Sequence, residues 1–175
     1  DCALTEINFP RGLTRIGDGA FQICPRLSEL HFPASLKIIG ERAFSGCIGL
    51  SEVHFPASLT QIRTGTFASC KGLTELHFPA SLTRIGEDAF NRCTGLTKLQ
   101  FPPSLAEIGD FTFRGCTGLT EVHFPASLTK IREAAFYECT GLTEVHFPHN
   151  STLTTSEGYA FDECTDLTDV YCSDE

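Results

Sequence analysis

The sequence predicts a solenoid, a stack of near-identical coils joined side by side through a parallel sheet, and three observations predict it. The string HFPASLT recurs at 54–60, 77–83 and 123–129, and LTEVHFP at 119–125 and 142–148, which sets a period of 23 residues. Each period carries one short segment whose side chains alternate with period two, the mark of a strand. Fourteen of the fifteen phenylalanines fall at two phases of the period, from Phe9 to Phe147 and from Phe21 to Phe161, where a non-repeating globular core would scatter them.

The repeats begin at Leu4, Leu27, Leu50, Leu73, Leu96, Leu119 and Leu142, with a partial one from Leu167, so residues 1–175 read as a single solenoid domain. In the strand segment Val122 and Phe124 face one way and Glu121 and His123 the other. The proline that follows, at 10, 33, 56, 79, 102, 125 and 148, lacks an N–H and restrains the residue before it, so the strand is expected to end there. Beyond it Leu128, Ile131, Ala135, Phe136 and Cys139 recur three to four residues apart, which suits a return path of short turns or 3-10-like structure with one buried face. Glycines 49, 72, 95, 118 and 141 close the coils, and a positive φ is expected at them. One coil cannot bury its apolar face alone. Neighbours must stack, and like side chains then form ladders about 4.8 Å apart.

The repeated pattern L-x-x-[LVI]-x-F-P-x-x-L-x-x-I-G-x-x-A-F-x-x-C-x-G resembles the BspA-like, or Treponema-type, leucine-rich repeats over essentially the whole chain. The resemblance implies a leucine-rich-repeat solenoid: a curved right-handed coil with a parallel β-sheet on the concave face and short turn or 3-10 segments on the convex side. It also implies an extracellular or cell-surface protein that engages other proteins or host surfaces. Phenylalanine stands before each proline where the family usually has leucine, which is expected to thicken the core.

Composition narrows the partners. A net charge of −9 with no Lys/Arg cluster repels phosphate backbones, which argues against nucleic acid. No apolar run approaches the length of a membrane helix, so no membrane insertion is expected. A protein or glycan is the expected partner. An enzyme needs convergent, non-repeated groups, and none is found: no nucleophile with its base, no unequal carboxylate pair, no phosphate-cradling loop. No catalytic residue, cofactor or metal is therefore assigned.

Cys24, Cys47, Cys70, Cys93, Cys116, Cys139 and, after a two-residue insertion, Cys164 form one ladder, best read as small buried thiols packed between rungs and bonded to turn backbone. Cys2 and Cys172 lie off the ladder, and a terminal disulfide from Cys2 to Cys24 or from Cys172 to Cys164 would pin an end coil.

The outward strand positions make two columns. One is Glu6, Glu29, Glu52, Glu75, Lys98, Glu121, Glu144 and Asp169; the other is Asn8, His31, His54, His77, Gln100, His123, His146 and Tyr171. Residues two apart share a face, so each Glu–His pair sits side by side and stacks on the next. Three readings are open: a solvated face on which histidines relieve carboxylate repulsion, a recognition surface for a protein or glycan, and metal capture, which the ligand types permit and no closed spacing motif supports. The candidate ligand-binding residues are Glu29, His31, Glu52, His54, Glu75, His77, Lys98, Gln100, Glu121, His123, Glu144 and His146.

Departures from the array are the places the fold does not dictate. Repeat five has Lys98 and Gln100 in place of Glu and His, doubles the proline at Pro102 and Pro103, and carries the out-of-phase Phe111, expected near Tyr137 on the opposite side. Lys98 and Gln100 would offer a ligand carboxylate or backbone a place in the acidic column. The last full repeat inserts two residues around His149 and Asn150, and Asn150-Ser151-Thr152 is a glycosylation sequon. The function expected is a non-enzymatic binding module. The alternative is a structural segment of a larger assembly, packed end to end or laterally.

Overall fold

The computed structural model describes residues 2–173, and these form strands and turns with no helix among them. Each period supplies a longer and a shorter strand. The longer ones, β1 (Glu6–Asn8), β3 (Glu29–His31), β5 (Glu52–His54), β7 (Glu75–His77), β9 (Lys98–Gln100), β11 (Glu121–His123), β13 (Glu144–Pro148) and β15 (Asp169–Ser173), make the first side of the stack. The shorter ones, β2 (Arg15–Ile16), β4 (Ile38–Ile39), β6 (Gln61–Ile62), β8 (Arg84–Ile85), β10 (Glu107–Ile108), β12 (Lys130–Ile131) and β14 (Thr155–Ser156), make a second side within the expected return path.

All pairing is parallel and joins residues one period apart, such as Glu52 with Glu75, His123 with His146 and Ile85 with Ile108. The inserted residues are absorbed before β14, so Lys130 pairs with Thr155 and Glu144 with Asp169. Most of the longer strands stop before the proline as expected, but β13 runs through Pro148, which pairs with Ser173. The first ladder is continuous from β9 to β15 and separately in β1–β3 and β5–β7.

The third side is the turn path, and it too is cross-linked. The N–H groups of Arg42, Phe44 and Gly46 donate to Thr64, Thr66 and Ala68 of the next coil at 3.0, 2.9 and 2.8 Å. Those of Ala43, Ser45 and Cys47 bond back three residues within their own coil at 3.3, 3.1 and 3.2 Å. Every second amide thus closes a turn and every other one ties coils together, so the buried backbone is paired.

The turn path demands left-handed backbone at two columns. One comprises Gly19, Arg42, Gly65, Asp88, Phe111, Ala134 and Tyr159, the other Ile23, Gly46, Ser69, Arg92, Gly115, Glu138 and Glu163, all with φ between 50° and 76°. The coil-closing glycines 49, 72, 95, 118 and 141 are not among them, which corrects the expectation of positive φ. Their role is close approach: a Cβ on Gly72 would sit 2.4 Å from the Ile48 carbonyl oxygen, and one on Gly118 2.4 Å from that of Thr94.

Between the three sides lie the ladders of Leu, Ile, Val and Phe. Phe44, Phe67, Phe90, Phe113 and Phe136 are fully buried and stack with ring centroids 5.2–5.7 Å apart. The second phenylalanine column meets the first edge-on, as Phe55 meets Phe67 at 5.6 Å and 84° and Phe124 meets Phe136 at 5.7 Å and 84°. Offset stacks along the axis and edge-to-face contacts across it are the two geometries that aromatic quadrupoles favour.

The ladder thiols pack as expected. Cys47, Cys70, Cys93, Cys116, Cys139 and Cys164 each donate to the phenylalanine carbonyl of the preceding coil at 3.2–3.3 Å. Burial pushes the Cys93 thiol up to about 12 and raises Cys70 and Cys116 as well, so these groups stay protonated. Cys2 and Cys24 form a disulfide with Cα atoms 4.9 Å apart. The other terminal pairing is not formed: Cys164 turns into the ladder, while Cys172 is an exposed free thiol paired in register with Phe147. Serines complete the lattice, with Ser58, Ser81 and Ser104 capping the Leu36, Leu59 and Leu82 carbonyls of the preceding coil at 2.5–2.6 Å.

Two outcomes follow for thermal or urea unfolding. Gly118→Ala forces its Cβ into the Thr94 carbonyl and is expected to cost about 1–3 kcal/mol. Gly158→Ala, where a Cβ meets nothing within 4 Å, serves as the neutral control. Ile23→Gly removes a β-branched side chain from an exposed left-handed position and is expected to raise stability by about 1 kcal/mol.

Candidate functional site

The alternation that drives Leu30, Val53, Leu99, Val122 and Val145 into the core turns their neighbours outward, and the parallel register sets those neighbours in columns. Glu6 aligns with Glu29, Glu52 with Glu75, Lys98 with Glu121 and Glu121 with Glu144. Beside them His54 aligns with His77, Gln100 with His123, and His123 with His146.

The histidines resolve into two stacked pairs. The His54 and His77 rings lie 4.1 Å apart and 3° from parallel, and those of His123 and His146 lie 4.2 Å apart at 7°, with Tyr171 stacked on His146 at 4.7 Å. Each pair has carboxylates alongside. Glu52 is 3.4 Å from His54 and 4.0 Å from His77, which also meets Glu75 at 3.5 Å. Glu121 is 2.5 Å from His123 and 3.9 Å from His146, which meets Glu144 at 3.3 Å. His31 stands apart, between Glu6 at 3.9 Å and Glu29 at 3.5 Å.

Lys98 already has a partner on this face: its Nζ pairs with Glu121 Oε2 at 2.8 Å. The hydrogen bonds from Lys98 and His123 hold the Glu121 carboxyl down to about 2, and Glu121 in turn raises Lys98.

The departures from the array converge. Gln100 and Pro103 of repeat five, His123 and Pro125 of repeat six, and Pro148, His149 and Asn150 at the insertion line one open cavity of about 640 Å³, floored by Phe101 and Phe124. The proline and phenylalanine surfaces supply apolar contact, while an amide, two imidazoles and Asn150 supply polar groups at the rim. Each departure is visible in the sequence. Their meeting is not, because it depends on how three successive coils sit side by side.

Away from this face the structure holds a charge cluster that sequence reasoning missed. The Glu107 carboxylate lies 2.5 Å from Arg132 Nε and 3.6 Å from Arg84, and Arg132 also reaches Glu157 at 3.6 Å. Burial disfavours ionisation of Glu107, but the Arg132 hydrogen bond and the surrounding cations outweigh it and lower its pKa. The spacing of 23 between Arg84 and Glu107 was the available signal. On the turn side Phe111 lies by Tyr137 as expected, with the Arg114 guanidinium 6.0 Å from the first ring and 5.3 Å from the second.

Lys98→Gln removes the main hydrogen bond to Glu121. The Glu121 pKa is expected to rise from about 2 toward the ordinary carboxylate value, read by carboxyl carbon NMR titration. Because the native pKa is depressed, the stabilisation it carries is present above about pH 4.3 and is lost as pH falls toward 2, so in the variant less stabilisation remains to be lost.

Comparison with known proteins bears on the whole array. No curated protein sequence matches the chain. The family model described as BspA type leucine rich repeat region matches residues 1–106 and 83–175 in 6 copies. Among solved structures, the T. pallidum leucine rich repeat protein superposes with a TM-score of 0.86 at 29% identity, covering 94% of this chain and 78% of that one. A leucine-rich repeat protein from Bacteroides ovatus superposes with a TM-score of 0.75 at 32% identity, covering 94% of this chain and 48% of that one. The chain thus spans about half the length of the Bacteroides protein. A leucine rich cell surface protein from Faecalibacterium prausnitzii shares the fold at a TM-score of 0.69 and 24% identity, covering 98% of this chain and 60% of that one. The repeat consensus, the parallel ladders and the family match over both halves agree, and the chain belongs to the BspA type leucine-rich repeat family.

Proposed function

We propose that the chain is a non-enzymatic binding module that recognises a protein or glycan through the outward face of the first sheet, with its centre at the cavity beside Gln100, His123 and His149. Leucine-rich repeats of this family are protein-interaction scaffolds, and its members are typically surface-associated. Among the described residues no helix is long and apolar enough to cross a membrane. An extracellular or cell-surface setting accords with both points.

The observation that carries the reading is the convergence at the cavity. The fold requires a side chain of the right polarity at each outward position, yet the replacements at Gln100 and Pro103 and the insertion at His149–Asn150 fall around one concavity, while the rung before it keeps the pattern with Glu75 and His77. Contact area there combines exposed apolar edges with fixed polar groups, the composition of a recognition centre.

The test is to immobilise the protein, select binders from surface and secreted proteins and from a glycan array, and measure each binder against variants. Gln100→Ala and His149→Ala are expected to weaken binding roughly ten-fold or more. Phe111→Ser, on the turn side, is expected to leave it unchanged. Loss with Phe111→Ser and none with the cavity variants would move the recognition surface to the other side of the coil.

A second reading, assembly through coil ends, rests on the exposed Val170 and Tyr171 of β15. Sedimentation decides it: a concentration-independent monomer excludes assembly of this segment with itself.

A further inference from the structure

We infer that the outward sheet face carries a transition-metal site built from Glu52, His54, Glu75 and His77, with a weaker second copy at Glu121, His123, Glu144 and His146. This goes beyond the recognition of a protein or glycan and does not depend on it. It also reverses the expectation, drawn from the lack of a closed spacing motif, that no metal is bound. Such motifs describe ligands brought together within one segment. In a solenoid the ligands come from adjacent rungs, so their sequence spacing is the repeat itself.

The donor geometry carries the inference. One carboxylate oxygen of Glu52 and one ring nitrogen each of His54 and His77 lie within 4.8 Å of one another, and the same holds for Glu121, His123 and His146. Metal–ligand distances of about 2.0–2.2 Å in a tetrahedral zinc site place ligand atoms about 3.3–3.6 Å from each other. The separations of 3.4 Å for Glu52 to His54, 3.5 Å for Glu75 to His77 and 4.0 Å for Glu52 to His77 are already close to that. The paired strands hold the two rungs in register, so assembling the site costs side-chain order and no backbone movement.

The stacked imidazoles must give up their parallel arrangement, since a nitrogen lone pair lies in the plane of its ring. Rotation about the Cβ–Cγ bonds brings the two Nε2 atoms toward one point, and side-chain exposures of 62% for His54 and 46% for His77 leave the rings free to turn. Two imidazoles with two carboxylates are a ligand set suited to Zn²⁺ and its neighbours in the transition series.

The two copies differ in one respect that makes the inference sharp. Among the described residues, the charged or titratable partners within 4.0 Å of Glu52 and Glu75 are histidines alone, whereas Lys98 holds one oxygen of Glu121 at 2.8 Å. That ammonium competes for the carboxylate and repels a dication placed beside it. The third cluster, Glu6, Glu29 and His31, offers one imidazole only and is not assigned.

Titration of the protein with Zn²⁺ by calorimetry, together with Co²⁺ absorption and NMR of the imidazole side chains, tests this. The wild type is expected to show saturable binding with shifts at His54 and His77 first and at His123 and His146 second. His54→Gln with His77→Gln is expected to weaken the first event roughly ten-fold or more. Lys98→Gln is expected to tighten the second event and leave the first unchanged. The substituted side chains are exposed, and an unchanged melting temperature without metal shows that each variant is folded. The inference is overturned by unchanged Zn²⁺ affinity in the double variant, by Co²⁺ bands that report thiolate ligands, or by absence of saturable binding to the wild type.

Discussion

Hydrogen bonds between successive coils occur on all three sides of this stack, through the paired stretches of the two strand ladders and through alternate amides of the turn path. They fix the axial spacing at the distance between parallel strands, about 4.8 Å, and every other feature inherits that spacing. Glycine is needed where one backbone passes another too closely for a Cβ, serine where a carbonyl of the preceding coil lacks a partner, and cysteine where a small donor must reach a phenylalanine carbonyl. The phenylalanines fill what remains. Their rings stack near parallel with centroids 5.2–5.7 Å apart, somewhat wider than the strand spacing.

The same regularity governs what the sequence discloses. Period-two alternation around Val122 names the outward residues, and a period of 23 states which of them are neighbours, so the Glu and His columns are readable before any coordinates. What escapes is whatever depends on more than the column. Lys98 reads as a break in the acidic column, and its pairing with Glu121 one rung away is seen only in the structure. The coil-closing glycines read as positive-φ positions because a glycine chosen for close approach and one chosen for φ look alike in a sequence. The positions that do need positive φ hide among Arg42, Asp88, Phe111 and Glu138, side chains that do not advertise the conformation.

Function has the opposite relation to the array. A periodic face repeats each chemical group along its length, which suits many weak, equivalent contacts and does not suit one reacting centre. Individual character arises where rungs differ. Breaks in the first ladder between β3 and β5 and between β7 and β9 divide the face, and the stacked histidines lie within the continuous parts. The cavity at His149 lies beside the repeat that carries two added residues. The same fold can therefore keep its core while altering what it meets.

The disulfide between Cys2 and Cys24 ties the first coil to the second. At the other end Cys172 is unbonded, and β15 is held to β13 by its ladder and by the stack of Tyr171 on His146, with no covalent link. In a linear array whose coils contact only their neighbours, opening proceeds inward from the ends. The covalent link therefore makes the first two coils open as one unit in an oxidising medium, while reduction leaves them joined by their strand pairing and packing alone.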